Sequence, residues 1–330
     1  MDAQGIISSF ENKQFKPIYW LEGEESYFID KVVDFAENHI LSEAESSFNK
    51  TVFYGRDTNW ADVVTTCRRY PMFSEIQLVI IKEAQYLKDI ENLESYIAQP
   101  LTSTILVVAY KEKKLDGRKS FGKTIKQNGV LLTTKKFYDN EIPGWVSKLV
   151  KEKGFTISDK ALYLLIEHIG NDLSRIENEI NKLAINIKNK QISEDEIENY
   201  IGVSKDYNVF ELQNALSNQN FEKALSIIQY FANNPKSAPL PLLFGNLYAY
   251  FSKVYMVFGT SGHPDEVAIK LGIKPFFAKD YLSAAKRYGK DGIEKILLLL
   301  HQYNLKSIGI GSKNDDIGVL LKELLVKIML

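Results

Sequence analysis

The chain has 330 residues, 41 Lys+Arg against 42 Asp+Glu, four His and one Cys, for a formal net charge of −1. Apolar residues at 45% and charged residues at 25% exclude wholesale disorder, and the near-neutral balance excludes a protein that coats nucleic acid by bulk charge. Cys67 stands alone, which excludes an internal disulfide and a cysteine-based zinc site; His39, His168, His263 and His301 show no ligand-like spacing, so no metal site is expected.

The opening MDAQGIISSFENK lacks the basic and apolar blocks of a signal peptide. The longest apolar runs, such as residues 296–300, fall far short of the ~20 residues a membrane span needs. A soluble, cytoplasmic protein with no membrane partner is expected.

Short apolar, β-branched or aromatic runs at residues 18–21, 51–54, 76–81, 104–110 and 130–134 predict five strands. Helix-type spacing lies between them, as in Phe28, Val32, Phe35 and Ala36. Strands alternating with helices imply a mainly parallel sheet flanked by helices. The unbroken runs 78–81 and 105–109 suit strands buried on both faces.

From about Asn140 the strand signal stops. Leu173, Ile176, Ile180, Leu183 and Ile187 repeat at steps of three and four, which places them on one helix face. Ser193 and Glu196 form a capping box opening a further helix that ends at Gly202. A second helical block runs from Val209 to the C-terminus, punctuated at 233–235, 259–264, 289–292 and 309–311. The expected fold class is α/β followed by all-α, in three parts: 1–139, 140–205 and 206–330.

Gly117-Arg118-Lys119-Ser120-Phe121-Gly122-Lys123-Thr124 matches the phosphate-loop pattern G-x-x-x-x-G-K-[ST]. A P-loop-type ATPase would wrap phosphates in this backbone, with Lys123 on the β/γ oxygens and Thr124 on Mg²⁺. Such a loop leaves a strand directly, whereas here residues 111–116 intervene after the strand ending near Tyr110. The other reading is a solvated, Lys-rich helix. After the first strand, where an α/β nucleotide site would lie, the chain reads Glu22-Gly23-Glu24-Glu25, with three carboxylates that repel a triphosphate. There is no G-x-S-x-G elbow and no H-E-x-x-H motif, so no catalytic residue and no cofactor is expected.

Several segments together resemble one family, the delta subunit of the bacterial DNA polymerase III clamp loader. They are residues 17–25 (PIYWLEGEE), 70–74 (YPMFS) with 77–81 (QLVII), 170–183 (GNDLSRIENEINKL), 209–216 (VFELQNAL), 268–276 (AIKLGIKPF) and 304–309 (NLKSIG). Their order and spacing span essentially the whole chain.

The resemblance implies a RecA-like, AAA+-type domain without a working phosphate loop at 1–139, a helical lid at 140–205 and a helical collar for oligomerisation at 206–330. It implies a replication protein within the DNA polymerase holoenzyme, with no catalytic site of its own. The implied partners are the sliding clamp (beta), the ATP-binding gamma/tau subunits, delta-prime in a pentamer, and primed DNA.

By motif position the clamp-gripping pair is Met72 and Phe73, at the tip of a helix that Pro71 helps to end. Read from the residues alone, the same pair could be core residues beneath the sheet. An AAA+-like adaptor with another partner is a further alternative. The segment 111–136 carries nine Lys/Arg against two acids, so Lys119, Lys123 and Lys126 are candidates for DNA phosphate contact, with a solvated helix face as the other reading.

Overall fold

The protein is described by a computed structural model covering every residue except Asp139, Lys274, residues 312–315 and Leu330; the side chain of Phe276 is also outside it. The expected domain end at Asp139, and Lys274 with the Phe276 side chain of the 268–276 segment, therefore lie outside the described residues. The chain forms two compact units, Met1–Phe137 and Tyr138–Leu330.

The first unit runs α1 (Ala3–Glu11), β1 (Ile18–Gly23), α2 (Ser26–His39), α3 (Glu43–Asn49), β2 (Lys50–Tyr54), α4 (Trp60–Cys67) and β3 (Gln77–Lys82), then α5 (Glu94–Ile97), β4 (Thr104–Lys111), α6 (Ser120–Asn128) and β5 (Val130–Thr134). Its five strands lie in the order β2-β3-β4-β1-β5, all parallel, a RecA-like sheet.

Alternation along each strand divides the core between the two faces. Tyr19, Leu21, Leu78, Ile80, Ile105 and Val107 pack against α1 and α2, through residues such as Phe10, Ile29 and Val32. Ile18, Trp20, Val79, Ile81, Leu106 and Val108 pack against α4, α5 and α6, through Val63, Tyr96, Phe121 and Ile125. Both faces are covered, so the strands read as continuous apolar runs. On α2 the predicted stripe is present: Val32 and Ala36 are buried, with Phe28 and Phe35 packed at the margin.

The second unit contains α7 (Ile142–Glu152), β6 (Thr156–Ile157), α8 (Asp159–Ile169), α9 (Leu173–Asn186), β7 (Gln191–Ile192), α10 (Glu194–Ile201), α11 (Val209–Ser217), α12 (Phe221–Asn233), α13 (Leu240–Val257), α14 (Pro264–Leu271), α15 (Pro275–Ser307) and α16 (Ile317–Met329). The strand signal does not wholly stop at Asn140, because β6 and β7 pair in parallel as two-residue strands. A two-residue ladder is too short to leave a periodic signature.

α9 buries Leu173, Ile176, Ile180 and Leu183, and Asp172 caps it by accepting from the Arg175 amide at 3.0 Å. Ser193 and Glu196 form the capping box of α10, which stops at Gly202 with φ 84°. α15 breaks at Gly289 (φ 66°), a backbone conformation that glycine adopts without a Cβ penalty.

Residues on either side of the expected 205/206 division pack together within this unit. Lys160 pairs with Glu211 at 2.8 Å, and Gln213 donates to Glu167 at 3.3 Å. Among the described residues no helix is long and apolar enough to cross a membrane.

Candidate functional site

Met72 and Phe73 lie in the loop between α4 and β3, at the amino-terminal edge of the sheet. They are not core residues: Met72 is 55% exposed and Phe73 is 93% exposed, with Tyr70 beside them at 80%. Nor do they sit at a helix tip. α4 ends at Cys67 with Arg68 as its C-cap, so Pro71 falls beyond a helix that has already stopped.

The end of α4 is set by Gln77, whose buried side-chain amide donates to the carbonyls of Thr66 (3.2 Å) and Arg69 (2.6 Å) and to the Thr104 hydroxyl (2.8 Å). These bonds satisfy carbonyls that a helix terminus leaves without partners. The middle of the loop is held from α3. The Asn49 side chain accepts from the Met72 amide at 2.6 Å and donates to the Met72 carbonyl at 2.8 Å. The Ser74 hydroxyl donates to Glu45 Oε1 at 2.8 Å. Glu45 also closes a capping box with Ser42, and these hydroxyl and amide donors hold its carboxyl below the usual range.

Phe73 has φ 57°, the left-handed region that costs a non-glycine residue roughly 1–2 kcal/mol. An exposed, apolar residue gains nothing locally from that geometry. The strain is sustained by polar anchors on either side, and it turns a large ring into solvent. The links of Asn49, Glu45 and Gln77 to the loop carry no sequence signal, since these partners lie 23, 29 and up to 27 positions away; the Ser42–Glu45 capping pattern marks only the start of α3.

At the opposite edge, β1 leads into the first turn of the sheet. Glu22 is buried, and its carboxylate accepts from Trp20 Nε1 (3.2 Å), the Leu115 amide (2.9 Å) and the Thr133 hydroxyl (3.3 Å). Gly23 (φ 127°) lies so close to β5 that a Cβ would stand 2.2 Å from the Thr134 carbonyl oxygen. Glu25 then caps α2 by accepting from the Tyr27 amide at 3.2 Å. A helix N-terminus after the first strand is where a phosphate would be held by backbone amides. Here the chain's own carboxylate occupies that end.

The segment 117–124 has the wrong context for a phosphate loop. β4 ends at Lys111, and α6 begins only at Ser120, inside the motif. The hydroxyls of Ser120 (2.6 Å) and Thr124 (2.8 Å) both donate to Glu94, where a working loop would offer them to a metal–phosphate group. Gly122 is a packing glycine, since a Cβ would stand 2.6 Å from the Asp116 carbonyl.

The three candidate lysines differ in their surroundings. Lys119 pairs with Glu91 at 2.9 Å, while Lys123 and Lys126 are exposed on α6. Among the described residues, no group of three or more His, Cys, Asp or Glu side chains is placed to hold a metal ion. Burial pushes the Cys67 thiol up to about 12, so it is an inert core residue.

Residues 19–135 match the family model of the DNA polymerase III delta subunit, and residues 138–199 match one described as a middle domain. The chain is 24% identical to DNA polymerase III subunit delta of Bacillus subtilis, over 98% of this chain and 96% of that protein. It is also 24% identical to a probable DNA polymerase III subunit delta of Aquifex aeolicus, over 64% of this chain and 62% of that one. The solved structure of the Bacillus subtilis DNA clamp loader delta protein superposes with a TM-score of 0.60 at 22% identity, covering 99% of both chains. With a five-stranded parallel sheet, a mainly helical second unit and matches that run nearly end to end, the chain is similar in sequence and in fold to DNA polymerase III delta subunits.

Proposed function

We propose that this chain grips the sliding clamp through Met72 and Phe73 and opens the ring for loading onto primed DNA. The observation that carries this reading is the loop geometry: an almost fully exposed phenylalanine in a strained backbone conformation, anchored on both sides by polar bonds. Phe supplies a large rigid contact and Met a flexible, polarizable one, and a few such anchors carry most of an interface's energy. Burial of each is worth roughly 1.5–3 kcal/mol.

Ring opening needs no catalysis by this chain. A subunit that binds the open or strained clamp better than the closed one shifts the equilibrium by that difference in affinity. The ATP chemistry then belongs to gamma/tau partner subunits, in keeping with the carboxylate-filled turn after β1. Residues 1–139 act as the clamp-binding domain, 140–205 as the lid and 206–330 as the collar that joins delta-prime and gamma/tau in a cytoplasmic pentamer. Lys123 and Lys126, exposed on α6, offer phosphate contacts to the primed DNA, with Lys119 nearby.

The test is clamp binding by Met72→Ala/Phe73→Ala. The variant is expected to keep its circular dichroism and melting temperature while its affinity for the purified clamp falls by about a hundredfold or more. A folded variant that binds as tightly as the wild type overturns the reading. For DNA, a salt-dependent affinity unchanged when Lys119, Lys123 and Lys126 become Ala would reduce these lysines to a solvated helix face.

A further inference from the structure

We infer that α3 is the positioning element of the wedge: Asn49 and Glu45, one helical turn apart, clasp the backbone and side chain of the loop that carries Phe73 and hold it ready for the clamp. The inference rests on the reading of Met72 and Phe73 as the clamp-binding pair.

Positions i and i+4 of a helix lie on one face. Glu45 and Asn49 use that face to reach two points of the loop that flank Phe73. Asn49 satisfies both backbone polar groups of Met72 at once, as donor and as acceptor, at 2.8 Å and 2.6 Å. Its side-chain amide also donates to the Glu45 carbonyl at 3.2 Å, which fixes its orientation. Asn49 is 4% exposed, so its bonds are shielded from competing water. On the far side the Ser74 hydroxyl donates to Glu45, and Ser74 Oγ in turn accepts from the Ile76 amide at 3.4 Å.

The clasp therefore fixes the residue before Phe73 and the residue after it. Phe73 between them has no choice but the left-handed backbone that points its ring outward. A loop free to relax would return Phe73 to an ordinary backbone region. Selecting the binding-competent geometry would then be an entropic and strain cost met at the moment of association. The clasp removes that cost in advance without touching the partner.

A double-mutant cycle tests this with the full chain and the purified sliding clamp as probe. Asn49→Ala is expected to weaken clamp binding about tenfold in the wild-type background and less than about twofold in a Phe73→Ala background. Ser74→Ala, which removes the hydroxyl's bonds to Glu45 and to the Ile76 amide and leaves the α3 capping box intact, is expected to weaken binding about threefold and keeps the test open if Asn49→Ala does not fold. Hydrogen exchange gives an independent readout: the Met72 amide exchanges faster in Asn49→Ala, while amides of β3 do not. Two results overturn the clasp alone: loss of binding in Phe73→Ala with none in Asn49→Ala or Ser74→Ala, or an equal loss on Asn49→Ala in both backgrounds. Undiminished binding by Phe73→Ala overturns the wedge reading itself, and the clasp with it.

Discussion

At the carboxyl edge of the sheet Glu25 caps α2, Glu22 draws in the 112–115 segment, and Glu94 takes the hydroxyls of Ser120 and Thr124. At the amino edge Asn49 and Glu45 hold an apolar pair out in solvent. Both edges spend polar side chains on loops, with opposite results. The first set closes the loops onto the chain's own carboxylates, where a nucleotide-binding relative of the fold would present bare backbone amides. The second set leaves the loop's polar backbone satisfied from within and its apolar side chains free. A parallel sheet can thus close one edge onto its own carboxylates and leave an apolar pair exposed at the other, because the two edges share a core but no loop.

Several experiments break or sharpen that contrast. Its largest expected effect is on the amino edge, where Met72→Ala/Phe73→Ala removes clamp binding with little change in stability, because exposed side chains contribute little to folding. Phe73→Gly separates the two properties: it relieves the left-handed strain, so the variant is expected to be at least as stable as the wild type by urea titration while its clamp affinity collapses.

At the carboxyl edge Glu22→Ala strands the Trp20 indole and the Leu115 amide, at a cost of about 2–4 kcal/mol in chemical denaturation. A loss below about 1 kcal/mol would mean that the edge is not held by that carboxylate.

The second unit offers a contrast in pH. Burial raises Glu167 to about 7, against the opposing pull of hydrogen bonds from Gln213 and the Phe210 backbone and of the Lys253 charge. Its Oε2 has no hydrogen-bond partner among the described residues. Below the unfolded value of 4.5 the carboxyl is neutral in both states. Between that value and about 7 the unfolded chain ionises first, so stability falls as pH rises, and above about 7 the loss is complete. Glu167→Gln is expected to gain on the order of 1–3 kcal/mol at pH 8 and almost nothing at pH 4.5. Thermal melts across that range check the sign.

The smaller effects return to the carboxyl edge. Glu25→Ala loses the α2 cap and about 1 kcal/mol, read by thermal melting. Lys123→Ala is expected to leave ATP retention by the isolated chain unchanged by equilibrium dialysis, whereas stoichiometric ATP binding abolished by this substitution would restore 117–124 as a phosphate loop.

Much of the fold was legible because its signals are local. The five strands fall at the five apolar runs, since a strand covered on both faces must be apolar throughout. The α9 stripe and the α10 capping box were readable because their partners are three or four residues apart. The β6–β7 pair escaped because two residues carry no period. The pattern at 117–124 matches a phosphate loop by composition alone, and its context, six residues late after β4, was already readable in the sequence as an argument against it.

Sequence by itself determined the order of the main elements, the carboxylate-filled first turn and the segments that resemble DNA polymerase III delta subunits. It left Met72 and Phe73 open between core and surface, because an apolar pair reads the same in either place. Tertiary structure decided the matter through contacts between residues 23 and 29 positions apart, Asn49 with Met72 and Glu45 with Ser74. In the same way a residue 30 positions from Thr124, Glu94, took up the hydroxyl that a metal would need. Periodicity reports which face of an element is buried; which loop is held open depends on hydrogen bonds that form only once α3 and the sheet are packed.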